Sequence, residues 1–112
     1  MPPRVIRWFH RLPTSVYAFH DPATGLTKIG MSGDVPRRRR QIEKACGGPV
    51  AVLAVHEFPT RIAAERAEQD HHRRLNRHRA TGEWFRLDDA ARAALPALLA
   101  RTARGWRREG GE

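Results

Sequence analysis

Cysteine, lysine and long apolar runs are all scarce in this sequence. Cys46 is the only cysteine, which excludes a disulfide within one chain and any cysteine-rich zinc motif. No apolar run approaches the ~20 residues that a membrane helix needs. The N-terminal segment lacks the apolar core of a signal peptide, so we expect a cytoplasmic protein without membrane contact. The 112 residues, 40% of them hydrophobic, are enough for one domain with a compact core.

Positive charge dominates what is present. The chain has 21 basic and 12 acidic residues, which gives a formal net charge of +9. Lys28 and Lys44 are the only lysines, so nearly all of this charge is on arginine. Arginine binds phosphate bidentately and stacks on bases, which favours a nucleic-acid partner. We expect DNA, although RNA fits the composition equally well and a high arginine content is also typical of GC-rich genomes. The positions of the arginines along the chain therefore decide whether the charge indicates nucleic-acid binding.

The hydrophobic pattern predicts the element order β-β-α-β-α-(β)-α. Predicted strands cover residues 15–20, 26–31 and 49–58, and a short edge strand or packing segment covers 83–87. Predicted helices run from Asp34 to about Ala45, from Arg61 to about His78, and from Asp88 or Asp89 onward.

This order predicts an α/β (α+β) fold, with a small three-stranded, mostly antiparallel sheet flanked by helices. Residues 1–14 are predicted to be an extended N-terminal lead-in, 15–104 a single domain, and 105–112 a flexible basic tail. Pro96 should kink or split the last helix, because proline has no backbone N–H to donate.

The predicted hairpin brings polar side chains together near the sheet surface. We expect Tyr17 and Lys28 to lie opposite each other, while Gly30 lets a ligand approach the backbone closely. The helix that follows contains four consecutive arginines at 37–40, so at least one guanidinium must face back over the hairpin. A phenol, an amine and a guanidinium would then share one cleft.

The second long helix adds acidic and imidazole groups to this cleft. Glu65, Glu68 and His72 fall on one narrow arc that borders the apolar face, whereas His71 is expected to face the core. A carboxylate beside the phenol, amine and guanidinium gives a set that suits a phosphate and a hard metal ion.

At these spacings the sequence resembles the GIY-YIG nuclease superfamily, and most of all a phage-associated branch that has KIG in place of YIG. The resemblance covers residues 15–87. It rests on four motifs in order: Ser15-Val16-Tyr17; Lys28-Ile29-Gly30 with Asp34 and Arg38; Glu68-x-x-x-His72; and Arg79-Ala80-Thr81-Gly82-Glu83-Trp84-Phe85. Each motif alone is weak, whereas the four together are specific.

The resemblance implies a GIY-YIG-like fold and a metal-dependent endonuclease that hydrolyses phosphodiester bonds of DNA. Tyr17 would activate or orient the attacking water, Lys28 would supply positive charge beside it, and Arg38 would hold the phosphate. Glu68 would be the one protein ligand of a single Mg²⁺ or Mn²⁺ ion, with Glu65 as the alternative ligand.

Further roles follow from the same resemblance. Gly30, Trp84 and Phe85 would be structural, with the two aromatic side chains packed beneath a helix. The candidate nucleic-acid contacts are Arg37, Arg39, Arg40, His72 and Arg79.

One departure from the family pattern keeps other functions open. Other branches have an asparagine after the metal-ligand helix, whereas Asn76 lies inside that predicted helix. The alternative is therefore a catalytically inactive nucleic-acid-binding module of the same fold, and a third is an interaction domain with incidental charge. Because no separate DNA-reading domain is present, we expect weak sequence preference, with targeting by a partner, an oligomer or DNA structure.

Overall fold

A computed structural model describes residues 12–109, and the side chains within that range as far as Gly105. Strands β1 (Thr14–Asp21) and β2 (Leu26–Ser32) form an antiparallel hairpin, and β3 (Ala51–Phe58) pairs antiparallel with the other side of β1. The hairpin turn is closed locally, because the Asp21 carboxylate accepts from the backbone N–H of Ala23 at 3.0 Å and Gly25 adopts a φ of 74°.

Three helices flank this sheet: α1 (Val35–Cys46), α2 (Arg61–Arg74) and α3 (Asp89–Glu109). Asp34 and Thr60 cap α1 and α2 as their sequence positions indicate, each accepting from a backbone N–H three residues on. The prediction that α2 extends to His78 was wrong, because the chain tightens into a 3₁₀ turn at Asn76–His78 and then enters a strand. The alternative that Pro96 splits the last helix was also wrong, since α3 continues through it as one helix.

The sheet has five antiparallel strands rather than the predicted three. The additional strands are β4 (Arg79–Thr81) and β5 (Trp84–Phe85), and the spatial order is β3-β1-β2-β5-β4. Strand β5 lies within residues 83–87 and confirms the edge-strand alternative for that segment, whereas β4 was not predicted. Both are too short to carry a periodic signal, and β5 forms by pairing with Thr27 and Lys28 of β2. The predicted α+β class is confirmed, whereas the strand count was wrong.

The predicted domain boundaries differ slightly from the ends of the elements. Strand β1 already begins at Thr14, and residues 1–11 of the predicted lead-in lie outside the described residues. Helix α3 passes the predicted start of the tail at Gly105 and continues to Glu109, since Ala103 is still buried against the core. Residues 110–112 lie outside the described residues. Within the described range, no helix is long and apolar enough to cross a membrane.

The two faces of the sheet pack against different helices. Tyr17 and Phe19 point to the face that α1 covers and form a cluster with Ile42 and Val50. Their neighbours in β1 point to the opposite face, which α2 and α3 cover, and form the larger core with residues that include Ile29, Phe85, Leu95 and Leu99. Residues from both faces are therefore available at the edge of the sheet.

His71 lies in the larger core, as its position in α2 indicates. Only 1% of the residue is exposed, and Nδ1 has no hydrogen-bond partner among the described residues. Burial lowers the pKa of His71 to about 4.

We expect His71 to make the fold sensitive to acid. Because a histidine in the unfolded chain titrates near pH 6.5, its stabilising contribution is complete above that pH and is lost as the pH falls towards about 4. The loss amounts to about 3 kcal/mol at most. His71→Leu should therefore flatten the dependence of unfolding free energy on pH between these values, which urea denaturation at several pH values measures. If the unfolding free energies of the variant and the wild type changed with pH in parallel, His71 would not be the source of the acid sensitivity.

Candidate active site

Gly30 sits directly opposite Tyr17 in the β1–β2 ladder, and this pair centres the site. The expected opposition of Tyr17 and Lys28 was wrong, because the register places Lys28 opposite Phe19. Lys28 is instead a diagonal neighbour of Tyr17 on the same face of the sheet. A Cβ atom at position 30 would lie 2.5 Å from Tyr17 Oη and 2.7 Å from Cζ, so the phenol occupies the space that a side chain would fill. Any side chain at position 30 would have to displace the phenol.

The edge of β2 beside Gly30 is open to side chains from both faces of the sheet. Strand β5 pairs with β2 only at Thr27 and Lys28, and one further backbone bond joins Ile29 N to Glu83 O at 3.1 Å. Helix α2 reaches the same edge, because the His72 ring lies 2.8 Å from Ile29 O through Nε2. Since a carbonyl can only accept, Nε2 donates this bond, and the lone pair of the neutral ring is on Nδ1.

Glu68, His72 and Glu83 form an acidic and imidazole group at this edge. One potential ligand atom from each lies within 4.8 Å of the other two. Glu68 is 8% exposed, and burial together with the neighbouring Glu83 raises its pKa to about 7. The positive charge of Lys28 acts to lower the pKa of Glu68, and Lys28 Nζ lies 3.4 Å from Glu83 Oε1. Two carboxylates held this close, one of them buried, favour a cation between them.

The Tyr17 hydroxyl faces this group and one arginine. Its Oη is buried and has no hydrogen-bond partner among the described residues. Burial raises the pKa of Tyr17, Arg38 opposes that shift, and Glu83 and Glu68 add to it. The cation beside the hydroxyl is thus Arg38, whereas Lys28 is paired with Glu83. The Arg38 guanidinium is itself oriented by a 3.1 Å bond from Nε to the side chain of Gln41.

The side chains of Glu68, His72 and Glu83 fit a hard divalent cation. Carboxylate oxygens suit both Mg²⁺ and Mn²⁺, and a histidine nitrogen in the set fits Mn²⁺ better than Mg²⁺. The sequence singled out Glu68 as the ligand and His72 as a nearby contact, but gave Glu83 no role. Glu83 is the only acidic residue between Asp70 and Asp88, and that isolation beside the conformationally special Gly82, with its φ of 55°, was the available signal.

Most of the predicted nucleic-acid contacts lie outside this group. Arg37 and Arg40 are exposed on α1, whereas Arg39 is engaged within the fold through a 3.0 Å bond to Val50 O and an ion pair with Glu43. Arg79 is likewise engaged: it bonds to Asn76 and to Gly82 O, and its guanidinium lies over the Phe85 ring.

The structure places Trp84 and Phe85, which were both expected to pack beneath a helix, on opposite faces of the sheet. Phe85 is fully buried in the larger core, with its ring centroid 5.2 Å from that of His72. Trp84 lies on the opposite face beside the Tyr17 cluster, and Lys28 Nζ is 5.2 Å from its ring centroid. Two further predictions concern polar residues of α2 and the turn after it. Glu65 is exposed and outside the ligand group. The prediction that Asn76 lies inside the helix was wrong, because α2 ends at Arg74 and Asn76 begins the 3₁₀ turn that follows.

Comparison with known proteins identifies a family for the chain. No curated protein and no solved structure matches it. The T5orf172 domain matches residues 14–107, from the first residue of β1 almost to the end of α3. The match includes every residue of the group around Gly30, and the chain therefore belongs to the T5orf172 domain family.

Proposed function

We propose that this protein is a metal-dependent endonuclease that hydrolyses phosphodiester bonds of DNA through a GIY-YIG-type site. The observation that carries the proposal is the convergence at Gly30. There the buried hydroxyl of Tyr17 faces Arg38 on one side and the Glu68–Glu83 pair on the other. A water-activating group, a phosphate-binding cation and a set of metal ligands are what phosphodiester hydrolysis requires.

Glu68, Glu83 and His72 would hold a single Mg²⁺ or Mn²⁺ ion. The bound ion would polarise a phosphate oxygen and stabilise the negative charge that develops in the transition state. Lys28 keeps Glu83 in place through their ion pair and offsets part of the repulsion between the two carboxylates. The buried position of Glu68 fixes its carboxylate, so that little conformational freedom is lost when a cation binds.

The residues around Tyr17 account for the attack on phosphorus. Tyr17 Oη can accept a hydrogen bond from a water and, as the phenolate, take its proton while the water oxygen bonds to phosphorus. The bond from phosphorus to the leaving oxygen breaks in the same step, and that oxygen takes up a proton from solvent. Arg38 favours the phenolate and would bind the non-bridging phosphate oxygens, where its planar donors match the geometry.

Nicking of supercoiled plasmid tests this proposal. The wild type should nick in the presence of Mg²⁺ or Mn²⁺ and stop when EDTA is added. Tyr17→Phe should lower the rate roughly 10²–10³-fold, as expected for a lost proton acceptor. The variant should fold normally, because Tyr17 Oη gives up no hydrogen bond. Glu68→Ala should reduce nicking to background.

Folding defects can be separated from loss of catalysis. Because Glu68 is buried beside another carboxylate, its removal relieves repulsion, so the melting temperature of Glu68→Ala should equal or exceed that of the wild type. Nicking that persists in both variants would mean that phosphodiester hydrolysis does not take place at the Tyr17–Glu68 site. Salt-sensitive DNA binding without cleavage by the wild type would instead support the inactive binding module.

A further inference from the structure

A groove runs from the Arg38 side of the site along the start of β1 and the first turns of α1. Its volume is about 640 Å³, and we call it the β1–α1 groove. Its walls include Leu12, Pro13, Met31, Arg37, Arg38 and Gln41, and Glu57 and Arg61 add one charge of each sign. Arg38 belongs both to this groove and to the surroundings of the Tyr17 hydroxyl. A phosphate bound at Arg38 would therefore have its neighbouring nucleotide at the mouth of the groove.

We propose that the β1–α1 groove binds an unpaired nucleotide next to the scissile phosphate, so that the enzyme prefers DNA with a single-stranded segment at the cut. This inference rests on the proposed nuclease function and specifies its substrate. A volume of this size is typical of pockets that hold a small molecule, which a single nucleotide resembles and a double helix does not.

The composition of the groove matches a nucleotide rather than a duplex backbone. Leu12, Pro13 and Met31 give it an apolar wall, which phosphates cannot use but the face of an unstacked base can. Arg37 supplies positive charge at the opposite wall. Contacts to a duplex backbone alone would need the arginine and not the apolar surface.

Gln41 provides the groove with an amide group that can hydrogen-bond to a base edge. Its Oε1 accepts from Arg38 Nε at 3.1 Å, so the amide nitrogen is left with its two hydrogens for a ligand. The groove has two acidic residues, Asp34 and Glu57, against the three arginines at positions 37, 38 and 61, so its lining keeps a net positive charge. Asp34 is also engaged at the N-terminus of α1, where it accepts from Arg37 N at 3.1 Å. The groove thus combines a phosphate contact, an apolar platform and an amide donor.

Fluorescence anisotropy in EDTA, which blocks cleavage, tests the groove directly. The probes are a labelled duplex and the same duplex with a single-stranded extension. We expect the wild type to bind the extended probe roughly fivefold or more tightly, as for one stacked base. Arg37→Ala should reduce that preference, while Arg40→Ala, the same change on the same helix but outside the groove, should weaken both probes equally.

The outcomes separate this inference from the proposed function. Equal binding of the two probes, or equal effects of the Arg37 and Arg40 variants, overturns the groove assignment even if metal-dependent nicking is observed. A preference for the extended probe that is lost only in Arg37→Ala supports the groove, and it does so even if the protein fails to nick plasmid and the nuclease proposal falls.

Discussion

Gly30→Ala should abolish most of the cleavage activity while leaving the protein folded. The new Cβ would lie 2.5 Å from Tyr17 Oη, which is closer than non-bonded atoms approach, and 3.0 Å from Glu83 Oε1, which is a tight contact. Tyr17 has little room to retreat, because it is fully buried and stacks on Phe19 with ring centroids 4.2 Å apart. The hydroxyl and the carboxylate must therefore shift, and a displacement of about 1 Å at reacting groups costs roughly a hundredfold in rate.

Gly48→Ala is the matched control for this substitution. Gly48 follows α1, has no atom within 4 Å of an added Cβ and does not have a positive φ, so the same change there should leave nicking unaltered. The backbone of Gly30 is also outside the left-handed region, so strain at position 30 arises from contact alone. Overpacking should lower the unfolding free energy by about 1–3 kcal/mol, which circular dichroism during thermal unfolding can follow. Full nicking activity in Gly30→Ala would remove the Tyr17–Gly30 pair from the site.

Much of the fold follows from local sequence, because the first hairpin and the first two helices carry their own signals. The alternation after Leu26 and the capping residue Asp34 each act within a few residues of chain. Strand β4 carries no such signal, and the sequence indicated β5 only as one of two alternatives for residues 83–87. Their two or three residues become strands only because β2 offers them an edge at Thr27 and Lys28, and this tertiary contact has no counterpart in local periodicity.

The same distinction explains which site residues the sequence could indicate. Tyr17, Arg38 and Glu68 stand at characteristic spacings on elements that form locally, so their convergence could be predicted. The side chain of Glu83 reaches them because the bond between Ile29 N and Glu83 O fixes the turn beside Gly30. Its role therefore depends on the pairing of β5 with β2, whereas the sequence indicated only that residues 83–87 are an edge strand or a packing segment. The same pairing places Trp84 and Phe85 on opposite faces.

Glu83→Ala should greatly increase the metal concentration that cleavage requires. Glu83 supplies one of three candidate ligand atoms within 4.8 Å of one another, and it is the more exposed carboxylate of the pair. Loss of a hydrogen-bonding partner behind a ligand typically costs 10–100-fold in metal affinity, and loss of a ligand should cost more. We therefore expect the Mn²⁺ concentration for half-maximal nicking to rise about a hundredfold or more, as a metal titration of the nicking rate would show.

Glu65→Ala separates ligation by Glu83 from a general effect of negative charge. Glu65 is also near enough to raise the pKa of Glu68, but it is exposed and contributes no atom to the ligand group. If Glu83 binds the ion, its removal should shift the metal titration strongly and Glu65→Ala should shift it little. Similar small shifts in both variants would mean that Glu83 acts only through its charge, with Glu68 as the sole carboxylate ligand. The protons that Glu68 holds up to about pH 7 compete with the ion, so the wild-type titration should move to lower Mn²⁺ concentration as the pH rises through that value.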